Sequence, residues 1–227
     1  MPRPAHRDAD LRIGYALALL AANAIAAPFA VQVGDARLAL DAPAGFSDTQ
    51  FTGSPRLAEL AESMTPASNR ILLFALEDAD LRRFMSGDSI ELKRTALAAT
   101  PRGMERERLS PGAFKAFTAE ALPERGTPAA TKQLTRYLDA QPLGRANLLA
   151  ELRADPEVVS VLQGTRLPPS RANEAPRYLV SSNTLILVRG KALSLAVFTR
   201  YESAADLDWI RAATSRWIDE LQRLNSR

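Results

Sequence analysis

The chain has 227 residues, no cysteine and one histidine, His6. Without cysteine there can be no disulfide, no thiol nucleophile and no thiolate metal site. Its 29 basic residues exceed its 26 acidic ones only slightly, which argues against a dedicated nucleic-acid binder.

Arg3, Arg7 and Arg12 give a basic start, diluted by Asp8 and Asp10. Residues 13–26 (IGYALALLAANAIA) are then uncharged and almost wholly apolar, closing on Ala24 and Ala26 at the −3 and −1 positions of an A-x-A cleavage site. Such a run is shorter than the roughly 20 residues that span a bilayer. Residues 1–26 therefore read as a secretory signal peptide cut after Ala26, ahead of a single domain over 27–227. The competing reading keeps the segment as an anchor by extending the run through Phe29 and Val33. Gln32 and Asp35 soon end that run, and no stop-transfer charge cluster follows. The expected address is periplasmic or secreted, with membrane contact only through an uncleaved signal segment. Cleavage leaves 26 basic and 24 acidic residues and removes His6. A mature chain with neither Cys nor His has no Ser-His-Asp triad and no histidine base, and nearly all zinc, copper and haem sites are closed to it.

After the leader, Val31 and Val33, the Gly34-Asp35 turn and Arg37–Leu40 predict a short hairpin. Asp41-Ala-Pro-Ala-Gly45 breaks it, and Phe46 is expected to fold back under a sheet. Ser54-Pro55 predicts a capped helix running to about Met64, with Leu57, Leu60, Ala61 and Met64 on one face. Arg70–Leu76 is a continuous apolar run, the mark of a strand covered on both sides. A brief helix with Asp78 or Asp80 near its N-terminus should follow. Residues 89–100 predict a strand.

Ser110-Pro111 repeats the helix start, with Phe114, Phe117 and Ala121 inward. A second helix is expected from about Pro128 to Asp139. Ala146–Leu152 fits strand or helix, Val158–Leu162 fits a strand, and Gly164–Pro176 reads as a loop. Tyr178–Val188 and Ala192–Tyr201, joined by Arg189-Gly190-Lys191, form the clearest hairpin. Ser203 with Asp206 then suggests a capping box for a final helix. That helix should pack through Leu207, Ile210, Thr214, Trp217, Ile218, Leu221 and Leu224, with an Asp219–Arg223 pair outside. The sum is an α+β fold: an antiparallel-rich sheet of about five to seven strands with helices on both faces, an α/β/α sandwich.

The strand ending in Leu38-Ala-Leu-Asp-Ala-Pro-Ala-Gly-Phe46, and the closing hairpin (178–201) with helix (204–225), resemble PsbP-like proteins. That resemblance implies an α/β/α sandwich in a group whose roles are diverse and mostly non-catalytic. It transfers no functional residue.

Motif searches are empty: there is no G-x-S-x-G, Ser-x-x-Lys, H-E-x-x-H, Walker A or G-x-G-x-x-G. No catalytic, cofactor-binding or metal-ligating residue is assigned. Of Lys93, Lys115, Lys132 and Lys191, the last lies at a hairpin turn and reads as solvated. Glu77/Asp78/Asp80, Glu105/Glu107 and Asp206/Asp208 are the carboxylate clusters, more simply explained by helix starts and mixed-charge surface than by acid–base work. Arg102, Arg106 and Arg108 read as mixed-charge surface. Ser181-Ser182-Asn183 either line a pocket or mark the exposed end of a strand. Trp209, on the shoulder of the last helix, either covers a sheet edge or anchors a protein partner. The expected function is that of an exported, non-catalytic envelope protein that binds a partner protein as an assembly or accessory factor. The alternative is a His-free, carboxylate-dependent hydrolase or lyase in the periplasm.

Overall fold

The computed structural model describes residues 28–88, 91–122, 133–169, 171 and 174–226. The proposed signal peptide and His6 lie outside them, as do Lys132 and the start of the helix expected at Pro128. Among the described residues, no helix is long and apolar enough to cross a membrane.

The first hairpin forms where the valine–leucine alternation places it, as β1 (Phe29–Val33) and β2 (Ala36–Leu40), a two-stranded sheet of its own. The main sheet has seven strands, each antiparallel to its neighbours, in the order β3-β4-β5-β9-β8-β7-β6. These are β3 (Phe46–Asp48), β4 (Asn69–Glu77), β5 (Arg94–Pro101), β6 (Ala146–Asp155), β7 (Val158–Leu167), β8 (Arg177–Val188) and β9 (Lys191–Arg200). The α-helices among the described residues are α1 (Pro55–Ser63), α2 (Asp78–Met85), α3 (Pro111–Ala121), α4 (Leu134–Asp139) and α5 (Ala204–Asn225).

Period-two alternation assigns the faces. Leu73 and Ala75 of β4, with Leu193, Leu195 and Val197 of β9, join one core beneath α5, α4 and the β1–β2 hairpin. Phe74 and Leu76 point the other way, into a core with Leu57 and Ala61 of α1 and Leu81 of α2. On that same side Leu185, Leu187 and Ala192 receive Phe114 of α3. Both faces are thus dry, as the apolar run of β4 requires, and helices cover both.

Local chemistry sets the helix starts. Ser54 Oγ accepts from Leu57 N at 3.4 Å and Ser110 Oγ from Ala113 N at 3.2 Å, each with proline next in the chain. In α5, Leu207, Ile210, Trp217, Ile218 and Leu221 are buried, each worth roughly 1.5–3 kcal/mol relative to exposure. Trp217 Nε1 donates to Asp41 O at 2.8 Å. Asn225 bonds both the N–H and the carbonyl of Ala39, at 2.9 and 2.8 Å, so α5 fastens the first hairpin to the sheet.

Four expectations are corrected. The strand placed at 89–100 begins only at Arg94, with Ser89 and Ile90 outside the described residues. Residues 146–155, whose first part fits strand or helix, form a strand. Residues 164–167, read as loop, extend β7, because they pair with 177–180 of β8 and Gly164 lets Leu138 and Leu149 pack against its backbone. In α3, Phe114 and Phe117 face the core as expected and Thr118 is buried beside them, but Ala121 is exposed. The Asp219–Arg223 pair does not form: Asp219 takes Arg153 at 2.8 Å, and Arg223 turns to Glu220.

Asp206 does cap α5. Its Oδ2 accepts from Glu202 N and Ser203 N, both at 3.0 Å, and its Oδ1 lies 3.8 Å from Lys93 Nζ and 3.6 Å from Arg94 Nη2. Burial opposes its ionisation, but the two N–H donors and the two cations outweigh it and lower its pKa. A carboxylate depressed below its unfolded value of about 3.9 stabilises the fold above that pH, and the contribution is lost as pH falls through the folded pKa. Asp206→Asn is therefore expected to cost about 1–2 kcal/mol at pH 7. In urea unfolding the gap from the parent should shrink below about pH 4; a gap that stays constant down to pH 3 would rule out a charge effect.

Candidate functional site

At one end of the sheet three chain segments meet: the Gly34-Asp35 turn, residues 102–108 after β5, and the Arg189-Gly190 turn between β8 and β9. The last is a two-residue turn with φ of 52° and 81°, the type that suits a twisted hairpin. It starts β9 at Lys191, and the alternation that buries Leu193, Leu195 and Val197 buries Lys191 with them. Its side chain is 1% exposed, so the solvated reading of Lys191 is wrong.

The buried ammonium is fully engaged. Lys191 Nζ donates to Asp35 Oδ1 at 2.7 Å, to Glu105 O at 3.0 Å and to Glu107 O at 2.8 Å. Three protons meet three acceptors on two loops, which offsets the desolvation of the charge. An ammonium holding all three protons has no lone pair to attack a carbonyl or accept a proton. The hydrogen bond from Lys191, its own backbone N–H, and the charges of Lys191 and Arg108 hold Asp35 below the ordinary carboxylate range. Arg70 adds a second tie: its Nε donates to Glu105 Oε1 and its Nη2 to Gln32 O, both at 2.8 Å. Leu109 N donates to Gly190 O at 2.8 Å, closing the third side.

Above this cluster lies an open groove of about 630 Å³, bordered by Gln32, Gly34, Arg70, Arg102, Arg106 and Glu107. Arg102 Nε bonds the carbonyls of Ala67 and Asn69 at 3.3 and 3.1 Å, and Arg106 is exposed at the rim. The small basic group read at 102–108 therefore belongs to a larger assembly that the sequence spreads over three segments. Lys191 was legible only by extending the β9 alternation one residue back through the turn.

The other candidates are dispersed. Ser181–Asn183 lie inside β8, neither at its end nor in the groove: Ser182 Oγ bonds Thr214 Oγ1 at 2.6 Å, and Asn183 Nδ2 donates to Gln163 Oε1 at 2.7 Å. Trp209 is half-buried, its ring 6.1 Å from that of Phe46 and 4.0 Å from the Arg94 guanidinium carbon. Among the described residues, Asp80 and Glu107 hold no ion pair, and the other carboxylates on which a His-free hydrolase would depend have separate partners. Glu77 holds Arg94 at 3.1 Å, Asp78 accepts from Ser47 Oγ at 2.6 Å, Glu105 holds Arg70, and Asp208 lies 3.6 Å from Arg211. Lys93 donates to Glu202 at 2.6 Å, and Lys115 is exposed. Among the described residues, no group of three or more Asp, Glu, His or Cys is placed to hold a metal ion.

No family model and no curated protein matches the chain. Among solved structures it is similar to the Ran-binding protein Mog1p of Saccharomyces cerevisiae, at 10% identity over 88% of this chain and 93% of that one, with a TM-score of 0.39. The strand order and packing given above, and not this likeness, define the fold.

Proposed function

We propose that this is an exported, non-catalytic envelope protein that acts by binding a partner protein, as an assembly or accessory factor. The observation that carries the non-catalytic part is the state of the buried Lys191 and of the carboxylates beside it. Lys191 is saturated by three acceptors, and Asp35 and Glu105 are tied to cations, so the cluster builds a surface instead of leaving a reactive group free. Export rests on residues 1–26, with their basic start, apolar core and A-x-A end.

Two measurements test the reading. The protein purified from its native cells is expected to have a mass lacking residues 1–26; a mass that includes them overturns cleavage. Cross-linking in intact cells, followed by mass spectrometry, is expected to recover the same envelope protein in repeated preparations. Repeated recovery of the chain alone would overturn the partner.

A further inference from the structure

Resting on that binding reading, we infer that the partner is engaged at the sheet end held by Lys191, through an acidic, extended protein segment. Five arginines converge there from distant parts of the chain: Arg37 on β2, Arg102, Arg106 and Arg108 after β5, and Arg189 in the last hairpin turn. Among the described residues, none of the five has a carboxylate within ion-pair distance. Arg102 and Arg189 are oriented by carbonyl oxygens, Arg189 Nη1 donating to Arg37 O at 3.3 Å, which fixes a guanidinium without cancelling its charge. The stem of Arg108 lies against Gly190. The acids of the cluster do not offset this excess. Asp35 is matched by Lys191 and Glu105 by Arg70, which leaves Glu107 against five guanidinium groups.

The excess is local, because 27–227 carries 26 basic and 24 acidic residues. It also sits on rigid ground. The buried lysine and the Gly190–Leu109 bond hold the three segments in one arrangement, so less conformational freedom is lost on binding. Guanidinium forks match carboxylates two bonds at a time. Arg102 and Arg106 border the open groove, and Gln32, the register partner of Arg37, lies in its wall. That shape suits an extended peptide, and Glu107 among the arginines suits a segment of mixed charge better than a uniform polyphosphate. Among the described residues, the exposed large apolar side chains Phe51, Met85 and Leu143 lie away from the groove, whose lining is polar and charged, which favours a protein segment over a bilayer.

The test uses the full chain and a fluorescently labelled peptide of alternating glutamate and alanine, with its lysine–alanine counterpart as control. Fluorescence anisotropy should show binding of the glutamate peptide only, weakening as salt rises from about 50 to about 200 mM. Arg37→Gln/Arg106→Gln, which removes no internal hydrogen bond, should weaken binding at least about tenfold while urea unfolding stays at the parent value. Arg82→Gln/Arg83→Gln on α2 should change neither. Equal binding of both peptides, unchanged binding by the Arg37/Arg106 variant, or tighter binding to phosphatidylglycerol vesicles or duplex DNA would overturn the inference. The two proposals fail separately. If the Arg37/Arg106 variant still cross-links the partner in cells, the binding function stands and this surface is wrong. If the peptide binds at this surface but the parent recovers no partner, the surface stands and the envelope role is wrong.

Discussion

Lys191→Met is expected to lower the free energy of unfolding by about 2–5 kcal/mol, because it takes the donor from two backbone carbonyls at once. Methionine matches the lysine stem in volume, so the loss comes from the ammonium alone. Glu105 O and Glu107 O, now 3.0 and 2.8 Å from Nζ, would each face an apolar methyl group. A buried acceptor left without a donor costs about 1–3 kcal/mol. In a domain of this size that lowers Tm by about 10 °C. Asp35 has the smaller part, since its side chain is 66% exposed and water replaces the lost partner. Lys191→Met/Asp35→Asn separates the two contributions. If the orphaned carbonyls dominate, the double variant stays as unstable as Lys191→Met; if the unpaired carboxylate dominates, removing its charge restores stability. Asp35 also sets a pH dependence. Its pKa is depressed, so its pairing with Lys191 adds stability above the ordinary carboxylate range and loses it as pH falls through the folded value. Parent-like unfolding of Lys191→Met in urea would mean that the cluster does not hold the loops.

The parts of this molecule legible in the sequence are those decided by neighbours in the chain. Ser54-Pro55 and Ser110-Pro111 carry their own capping chemistry, and the stripe of α5 repeats over six turns. The Arg189-Gly190 turn declares itself by a glycine between β-rich runs. What was not legible depends on residues far away. Gly164 looks like a loop residue until Leu138 and Leu149 are packed against it. Arg153 finds Asp219 across 66 positions, which diverts Asp219 from the helical pair that spacing favours. The candidate surface is the extreme case. Arg37, Arg106 and Arg189 are unremarkable in an arginine-rich chain, and their proximity exists only after β2, β5 and the β8–β9 hairpin have been brought to one end of the sheet. Lys191 breaks the habit of placing lysines in water because three acceptors await it, and no local pattern announces them.

Gly34→Ala is the second large effect expected, and a glycine elsewhere supplies its control. Gly34 and Gly45 both have positive φ, 57° and 85°, so alanine at either position carries the left-handed penalty of about 1–2 kcal/mol. At Gly45 nothing lies within 4 Å of the added carbon, and the cost should stop there. At Gly34 the added carbon would stand 2.0 Å from Glu105 O and 3.0 Å from Lys191 Nζ. Backbone oxygen cannot rotate away as a side chain can, so the 102–108 segment must shift and carry Glu105 O off the ammonium. Gly34→Ala should therefore cost about 3–5 kcal/mol in urea unfolding, well above Gly45→Ala. Combining it with Lys191→Met should cost less than the two single changes added together, because both break the same contacts. Strict additivity, or a Gly34→Ala variant no less stable than Gly45→Ala, would show that the Gly34 turn and the 102–108 segment are not locked together through Lys191.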